Sequence, residues 1–256
     1  MSSNYKLFEN WNDALKCSTT GAYENKKLCE LVVRKTENLR QNFLDKICQL
    51  TVSEIQTLSM FGIAIAQIGG GKKINVIDYG GASGAHYFLV KHFYNNVKFD
   101  WKIVETQTMV NAAHDLSSNE LSFHTDFSES LEIDEIDLIH SSGTLQCIEN
   151  PYEVLSKFVE LSPKFMILSK LGLSREKDDV IVVHEHMMSA NGPGEAPSGF
   201  INEKCSYPFT FPVKTKVMDL ILPTYEIIFK NEEASGILPV EHVCLEGESY
   251  FLKEAY

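Results

Sequence analysis

The residues of this chain best suited to chemistry are carboxylates set beside a glycine-rich turn. The stretch Ile74-Asn75-Val76-Ile77-Asp78-Tyr79-Gly80-Gly81-Ala82-Ser83-Gly84-Ala85 reads as a buried strand, an acid, a turn and the start of a helix. Glycines let a backbone approach a ligand closely, and the first helical turn offers free amides. The spacing is G-G-x-x-G rather than the G-x-G-x-x-G of dinucleotide sites, and the next strand-end acid, Glu105, comes 27 residues after Asp78. A carboxylate directly before the turn would repel a pyrophosphate, so the pattern suits a cationic or zwitterionic ligand. S-adenosylmethionine, with its amino group and sulfonium, is such a ligand. Glu105, closing Trp101-Lys102-Ile103-Val104, then stands where a carboxylate accepts both ribose hydroxyls. Asp126, in Phe123-His124-Thr125-Asp126-Phe127, stands where the adenine amino group is read. One such acid is as readily a solvated strand end; three at successive strand ends are not.

The elements that must position these acids follow from the patterning. With 256 residues, the chain suits one domain with an appendage, and 44% apolar residues exclude wholesale disorder. A net charge of −12 excludes duplex nucleic acid as a partner, because counterion release needs clustered cations. The excess is uneven: residues 1–72 hold nine basic against seven acidic side chains, and residues 73–256 hold 14 against 28. Six scattered cysteines without C-x-x-C pairs read as reduced thiols. No long apolar run and no basic-then-apolar start marks a membrane span or signal peptide, so we expect a cytoplasmic protein without membrane insertion. Leu28, Leu31, Val32, Leu39, Phe43 and Ile47 make the buried stripe of one helix. Ser53-Glu54-Ile55-Gln56 reads as a capping box for a second, whose buried face would be Ile55, Leu58, Phe61, Ile65 and Ile68, ended by Gly69-Gly70-Gly71. These helices predict an N-terminal helical cap over 1–72.

From residue 73, short apolar runs alternate with helical segments. Ile74–Ile77, Trp101–Val104, Ile136–Ile139, Phe165–Leu168 and Val180–Val183 have strand length, and their unbroken apolar character suits a sheet covered on both faces. Helices near Ala85–Tyr94, Met109–Leu116 and Tyr152–Leu161 complete a βαβ rhythm. Tyr225–Phe229 and Val243–Leu252, joined through a turn region at 232–236 before Pro239, read as an antiparallel pair. The expected fold is therefore α/β, Rossmann-like and doubly wound: a mostly parallel seven-stranded sheet with an antiparallel C-terminal hairpin, over residues 73–256.

Taken together, these stretches resemble the class I S-adenosylmethionine-dependent methyltransferases, and more narrowly the methyltransferases encoded in bacterial capsule and O-antigen clusters. The resemblance runs from Phe8-Glu9-Asn10-Trp11-Asn12-Asp13-Ala14 through Asp78–Gly84 with His86-Tyr87-Phe88, and Val104-Glu105 with Val110. It continues in Ser141-Ser142-Gly143-Thr144-Leu145-Gln146 with Pro151-Tyr152, and in Ser206-Tyr207-Pro208. It implies that Asp78, Gly80, Gly81, Ala82, Gly84, Glu105, Asp126, Ser141 and Ser142 bind S-adenosylmethionine, leaving S-adenosylhomocysteine as product. Where the family most often has glycine, Ala82 stands. The acceptor it implies is a sugar hydroxyl on a nucleotide-linked sugar or polysaccharide precursor, sharpened to the 6-hydroxyl of a GDP-heptose used in a capsule. A possible alternative within enzymes is methylation of an amino or carboxyl group on a small metabolite; outside them, a donor-binding partner subunit without catalysis.

Methyl transfer to a hydroxyl needs the acceptor oxygen ~3–3.5 Å from the sulfonium methyl and a positioned base for its proton. His140, closing the fourth strand before Ser141-Ser142, and His184 and His186, flanking Glu185 at the end of Val180–Val183, are the candidate bases. Strand alternation sets His184 and His186 on one face and Glu185 on the other. Two histidines could also ligate a metal, but magnesium prefers oxygen ligands and no second carboxylate stands at fixed spacing, so no metal is expected. Gln146 could hydrogen-bond the acceptor, with Glu185, Arg175 and Tyr207 as further substrate contacts. Arg34, Lys35, Arg40, Lys170 and Arg175 are the cations available to a diphosphate, although each also reads as a solvated surface charge. Gly192, Pro193, Gly194, Pro197 and Gly199 make the segment between Met187 and Cys205 a long loop, expected to serve as a lid over substrate.

Overall fold

A computed structural model of the chain describes residues 5–19, 23–45, 49–69, 71–127, 135–233, 240 and 242–255. Its elements, in chain order, are β1 (Leu7–Phe8), α1 (Trp11–Lys16), α2 (Lys26–Leu44), α3 (Val52–Ile68), β2 (Lys73–Tyr79), α4 (Ala85–Phe93), β3 (Lys98–Val104), α5 (Gln107–Ala113), β4 (Leu121–His124) and β5 (Leu138–Ser142). They continue as α6 (Pro151–Glu160), β6 (Phe165–Ser174), β7 (Val180–Met187), β8 (Lys204–Phe211), α7 (Lys214–Ile221), β9 (Tyr225–Glu232) and β10 (Leu245–Glu254). Seven strands form one sheet in the order β4-β3-β2-β5-β6-β10-β9. The β2–β3 and β3–β4 pairs are parallel, and β10 runs antiparallel to both β6 and β9. This is the Rossmann-like α/β architecture with an antiparallel C-terminal hairpin. The chain divides into two compact units: 23–138 with 187–204, and 1–22 with 139–186 and 205–256, so the first 72 residues are shared between them.

In the unit built on residues 23–138, α2 buries Leu28, Leu31, Val32 and Phe43 as its spacing predicts, and adds Lys35 and Thr36. Ile47 of the predicted stripe lies outside the described residues, as does Gly70 of the glycine triplet. The stripe of α3 differs from expectation. Thr57, Leu58, Met60, Phe61 and Ala64 are buried, whereas Ile55 is 51% exposed. The cap is shifted too. Thr51, not Ser53, caps the helix: its Oγ1 accepts the Glu54 N–H while Glu54 Oε2 accepts the Thr51 N–H at 2.7 Å. T-x-x-E and S-x-x-Q overlap here, and an ionised carboxylate at a helix N-terminus outcompetes a neutral amide. The cap moves two residues upstream, and with it the phase of the first turn.

In the other unit, Val180–Val183 does not join the main sheet. It is part of β7, in a three-stranded sheet of order β1-β7-β8. Its continuous apolar run is buried by aromatic packing instead: Val180 and Val182 meet Tyr207, Phe209 and Phe211 of β8. Strand β8 carries Pro208, which lacks an amide donor and is tolerated because β8 is an edge. The predicted antiparallel pair holds: β9 and β10 pair along their length, while residues 234–236 and Pro239 of the predicted turn region lie outside the described residues.

The cap assignment is testable. Thr51→Ala should cost about 1 kcal/mol in urea denaturation, and Ser53→Ala under about 0.5 kcal/mol. Equal costs would return the cap to Ser53.

Candidate functional site

The glycine turn leaves β2 and reverses through residues that tolerate a left-handed backbone. Gly80, Ala82 and Gly84 have φ of +70, +50 and +85°. Gly81 is required for a different reason. A Cβ built there would lie 2.5 Å from the Asp78 carboxyl carbon, so only glycine lets the turn close over that side chain. Asp78 is fully buried, and its Oδ2 accepts the Trp101 indole N–H at 3.1 Å. Its carboxylate therefore sits beneath the turn rather than in front of it. Gly84 caps α4, and its Cβ position is closed by Ile103 and Leu121.

Glu105 follows β3 and reaches back to the same turn. The Ala82 N–H donates to its Oε1 at 3.1 Å and the Thr106 N–H to its Oε2 at 2.8 Å. Burial, aided by the negative charge of Asp78, pushes its pKa up to about 7 against the two amides, which pull it down. The backbone ties the strand ends together: Gly80 N–H donates to Val104 O, and Glu105 N–H to His124 O. Asp126, beyond β4, is exposed, and the neighbouring Phe127 stacks on Tyr79 at 5.3 Å. Asp78, Gly80, Gly81, Ala82, Gly84 and Glu105 thus gather at one turn, on the carboxyl ends of β2 and β3.

Several supports of that turn carry no motif. Thr36 on α2 hydrogen-bonds Ser83 Oγ at 2.7 Å, and Ser83 donates to Val32 O. Tyr23 O accepts the Thr106 hydroxyl at 2.5 Å and the Cys29 thiol at 3.1 Å. Burial pushes that thiol up to about 12, so it stays protonated. Lys35, read from sequence as a cation open to phosphate, is 2% exposed and donates to the carbonyls of Ser189 (2.9 Å), Asn191 (2.6 Å) and Gly192 (3.3 Å). Burial lowers its pKa. The loop expected to be a lid is thereby fastened to α2, with Lys27 and Glu203 pairing at 2.6 Å and Gly192 packed on Val32. Arg40 lies over the Phe88 ring, and Arg34 lines an open groove with Glu30 and Glu37.

The remaining candidates belong to the unit containing β5 to β10. His140 is fully buried on β5. His184 and His186 share a face of β7, as alternation requires, and Glu185 is exposed on the other. The two imidazoles stack at 4.7 Å, with Phe209 stacked on His184 at 4.6 Å and Tyr207 edge-on to His186 at 5.1 Å. Burial, then the neighbouring His186, lowers His184 to about 4, so it is neutral at pH 7. His186 Nε2 lies 3.4 Å from both Tyr207 OH and Cys205 Sγ. Ser141 and Gln146 line one narrow cleft with Gly143 and Ser169, and Ser142 O accepts the Thr144 hydroxyl. Arg175 is ion-paired with Glu246.

No protein-family model matches the chain, and no curated protein does. Solved structures do. A S-adenosylmethionine-dependent methyltransferase from Clostridium acetobutylicum is 11% identical, with 86% of this chain and 98% of that one covered and a TM-score of 0.49. The glycopeptide N-methyltransferase MtfA bound to S-adenosylmethionine is 11% identical, covering 76% and 87%, at 0.45. The [4+2]-cyclase SpnF is 10% identical, covering 78% and 80%, at 0.49. These likenesses are remote, and one fold hosts many chemistries, so function rests on the residues themselves.

Two outcomes follow from the buried charges. Lys35→Met should cost about 2–4 kcal/mol in urea denaturation, because three carbonyls lose their donor, and should speed amide exchange over 188–192. Glu105 has a folded pKa of about 7 against the 4.5 of an ordinary glutamate. The folded state holds the proton longer, so stability present below pH 4.5 is lost as pH rises towards 7, on the order of 3 kcal/mol in all. Glu105→Gln should flatten that part of the pH–stability curve; an unchanged slope would mean that Glu105 is not its source.

Proposed function

We propose that this protein transfers a methyl group from S-adenosylmethionine to a hydroxyl of a small acceptor. The observation that carries the proposal is the buried Glu105 carboxylate bound to the amide of a glycine turn that closes over a second buried carboxylate, Asp78. A carboxylate pair of this kind suits a ligand with a vicinal diol and a positive centre, and it disfavours a phosphate at the same turn. Glu105 accepts the ribose hydroxyls, exposed Asp126 the adenine amino group, and Asp78 holds the turn and supplies negative potential beneath it. Gly80, Ala82 and Gly84 shape the backbone that meets the ligand, and the family resemblance also assigns Ser141 and Ser142 to S-adenosylmethionine. Bound S-adenosylmethionine supplies an electrophilic methyl on its sulfonium.

The acceptor proton needs a base. Of the paired histidines, His186 is the better candidate: its Nε2 faces the Tyr207 hydroxyl, whereas burial leaves His184 too weakly basic at pH 7. His184 then packs and orients its neighbour. His140, fully buried, orients the turn at Ser141, and Gln146 contacts the acceptor. Exposed Glu185 and the Glu246-paired Arg175 are the outer substrate contacts. The family resemblance extends the acceptor to the 6-hydroxyl of a GDP-linked heptose in capsule biosynthesis, in a cytoplasmic setting.

Calorimetry with S-adenosylhomocysteine tests the donor site: wild type should bind, and Glu105→Ala should bind about 10- to 100-fold more weakly. Affinity should fall about tenfold per pH unit below pH 7, because the diol requires the ionised carboxylate. No binding by the wild type would refute methyl transfer. Incubation with donor and a panel of GDP-sugars should show a mass gain of one CH2 on a heptose; its absence would remove the heptose.

A further inference from the structure

Away from the glycine turn, the unit built on residues 23–138 holds a hollow between the last turns of α2 and helix α4. It encloses about 270 Å³. Residues 116–118 of its wall lead into the amino end of β4, whereas the turn at 80–84 and Glu105 stand at the carboxyl ends of β2 and β3. The two ends of β3 lie roughly 20 Å apart, so the hollow is not an extension of that turn.

Its lining combines aromatic rings with basic side chains. Phe43 stacks on the His92 ring at 4.6 Å, and the Arg40 guanidinium lies over Phe88, 5.4 Å from the ring centre. Leu44, 68% exposed at the end of α2, and Leu116 extend the apolar part. Arg40, Lys91 and His92 are the basic residues, and among the described lining residues there is no Asp or Glu. In a chain of net charge −12 this is a local reversal of sign. Lys91 is already engaged: its ammonium pairs with Glu120 at 2.7 Å and donates to Val97 O at 2.7 Å, and the Tyr87 hydroxyl donates to the same carboxylate. Arg40 differs. Its guanidinium has no acidic or carbonyl partner among the described residues, and the Phe88 face holds it in place. A guanidinium laid on a ring keeps its N–H edge available, and that edge matches a carboxylate with two parallel hydrogen bonds.

We propose that this hollow binds a small aromatic carboxylate, with the carboxylate on Arg40 and the ring among Phe43, Leu44 and Phe88. The volume falls below the ~300–1,000 Å³ of pockets that enclose drug-sized ligands, so the occupant is a molecule of one or two rings rather than a nucleotide. One open guanidinium balances one negative charge, and the ring displaces water from apolar side chains that the fold leaves uncovered. The site is defined by its own residues and does not rest on the methyl-transfer reading.

Titrating benzoate into the full chain at constant ionic strength tests this, read by amide NMR shifts. Acetate supplies the anion without a ring, and benzyl alcohol the ring without an anion. Benzoate should saturate and shift residues 40–44, 87–92 and 116–118, with a midpoint at least about tenfold below that of either control. Arg40→Gln should raise the benzoate midpoint about tenfold. Leu44→Glu should raise it and Leu44→Lys should not, since both remove the same apolar group and only the first adds a like charge. Arg40 and Leu44 are exposed, so these variants keep the fold. Lys98→Gln, at the exposed start of β3, should leave the midpoint unchanged. No saturation by benzoate, or equal midpoints for benzoate and benzyl alcohol, overturns the proposal, as do equal midpoints in wild type and Arg40→Gln. Loss of benzoate binding in excess S-adenosylhomocysteine also overturns it, by placing benzoate at the glycine turn. Calorimetry with S-adenosylhomocysteine alone reads the methyl-transfer proposal separately.

Discussion

Burying a carboxylate without a cation is expensive, and the unit around β2 and β3 is organised about one that is. Glu105 is 9% exposed and meets two backbone amides in place of a counter-ion. Those amides are available because the turn after β2 points them inward, and the turn can do so because Gly81 passes close over Asp78. Asp78 is itself held by the Trp101 indole, on the strand that delivers Glu105. Remove the close approach and the amide of Ala82 moves away, leaving the carboxylate to protonate or leave its site. The contacts from α2, through Thr36 and Ser83, brace the same turn from behind.

The treatment of cations is the complementary constraint. An acidic chain leaves few lysines and arginines unclaimed, and most of those described here are occupied by structure. Lys35 replaces its hydration shell with three carbonyls, which converts a loop rich in glycine and proline into a docked segment. Glu246 and Glu248 absorb Arg175, Lys214 and Lys230.

Much of the glycine turn and its surroundings was legible in the sequence. The strand, acid and glycine order of Ile74–Gly84 and the Glu105 strand end both sit as read, because a parallel strand followed by a tight turn is a local pattern with strong steric demands. The unit that holds β6 to β10 was less legible. Val180–Val183 looks like a main-sheet strand because an apolar run records burial, not the partner that provides it. Strand β8 was hidden by Pro208, which argues against a strand unless the strand is an edge, and edge status is a property of the assembled sheet. The two histidines were placed on one face correctly, but their stacking against Phe209 and the resulting neutrality of His184 depend on a strand some twenty residues away.

The sequence by itself determined the α/β class, the glycine turn and the acids beside it, and the alternation of His184 and Glu185. These are set by backbone sterics, periodicity and composition, which act within a few residues or over the whole chain without regard to arrangement. Only the tertiary structure decided that Asp78 lies under its turn, that Lys35 is a clasp and that Arg175 is paired. Each of those depends on which distant groups share a low-dielectric neighbourhood with a charge. That proximity sets whether the charge is solvated, paired or left to meet a ligand, and no local pattern encodes it.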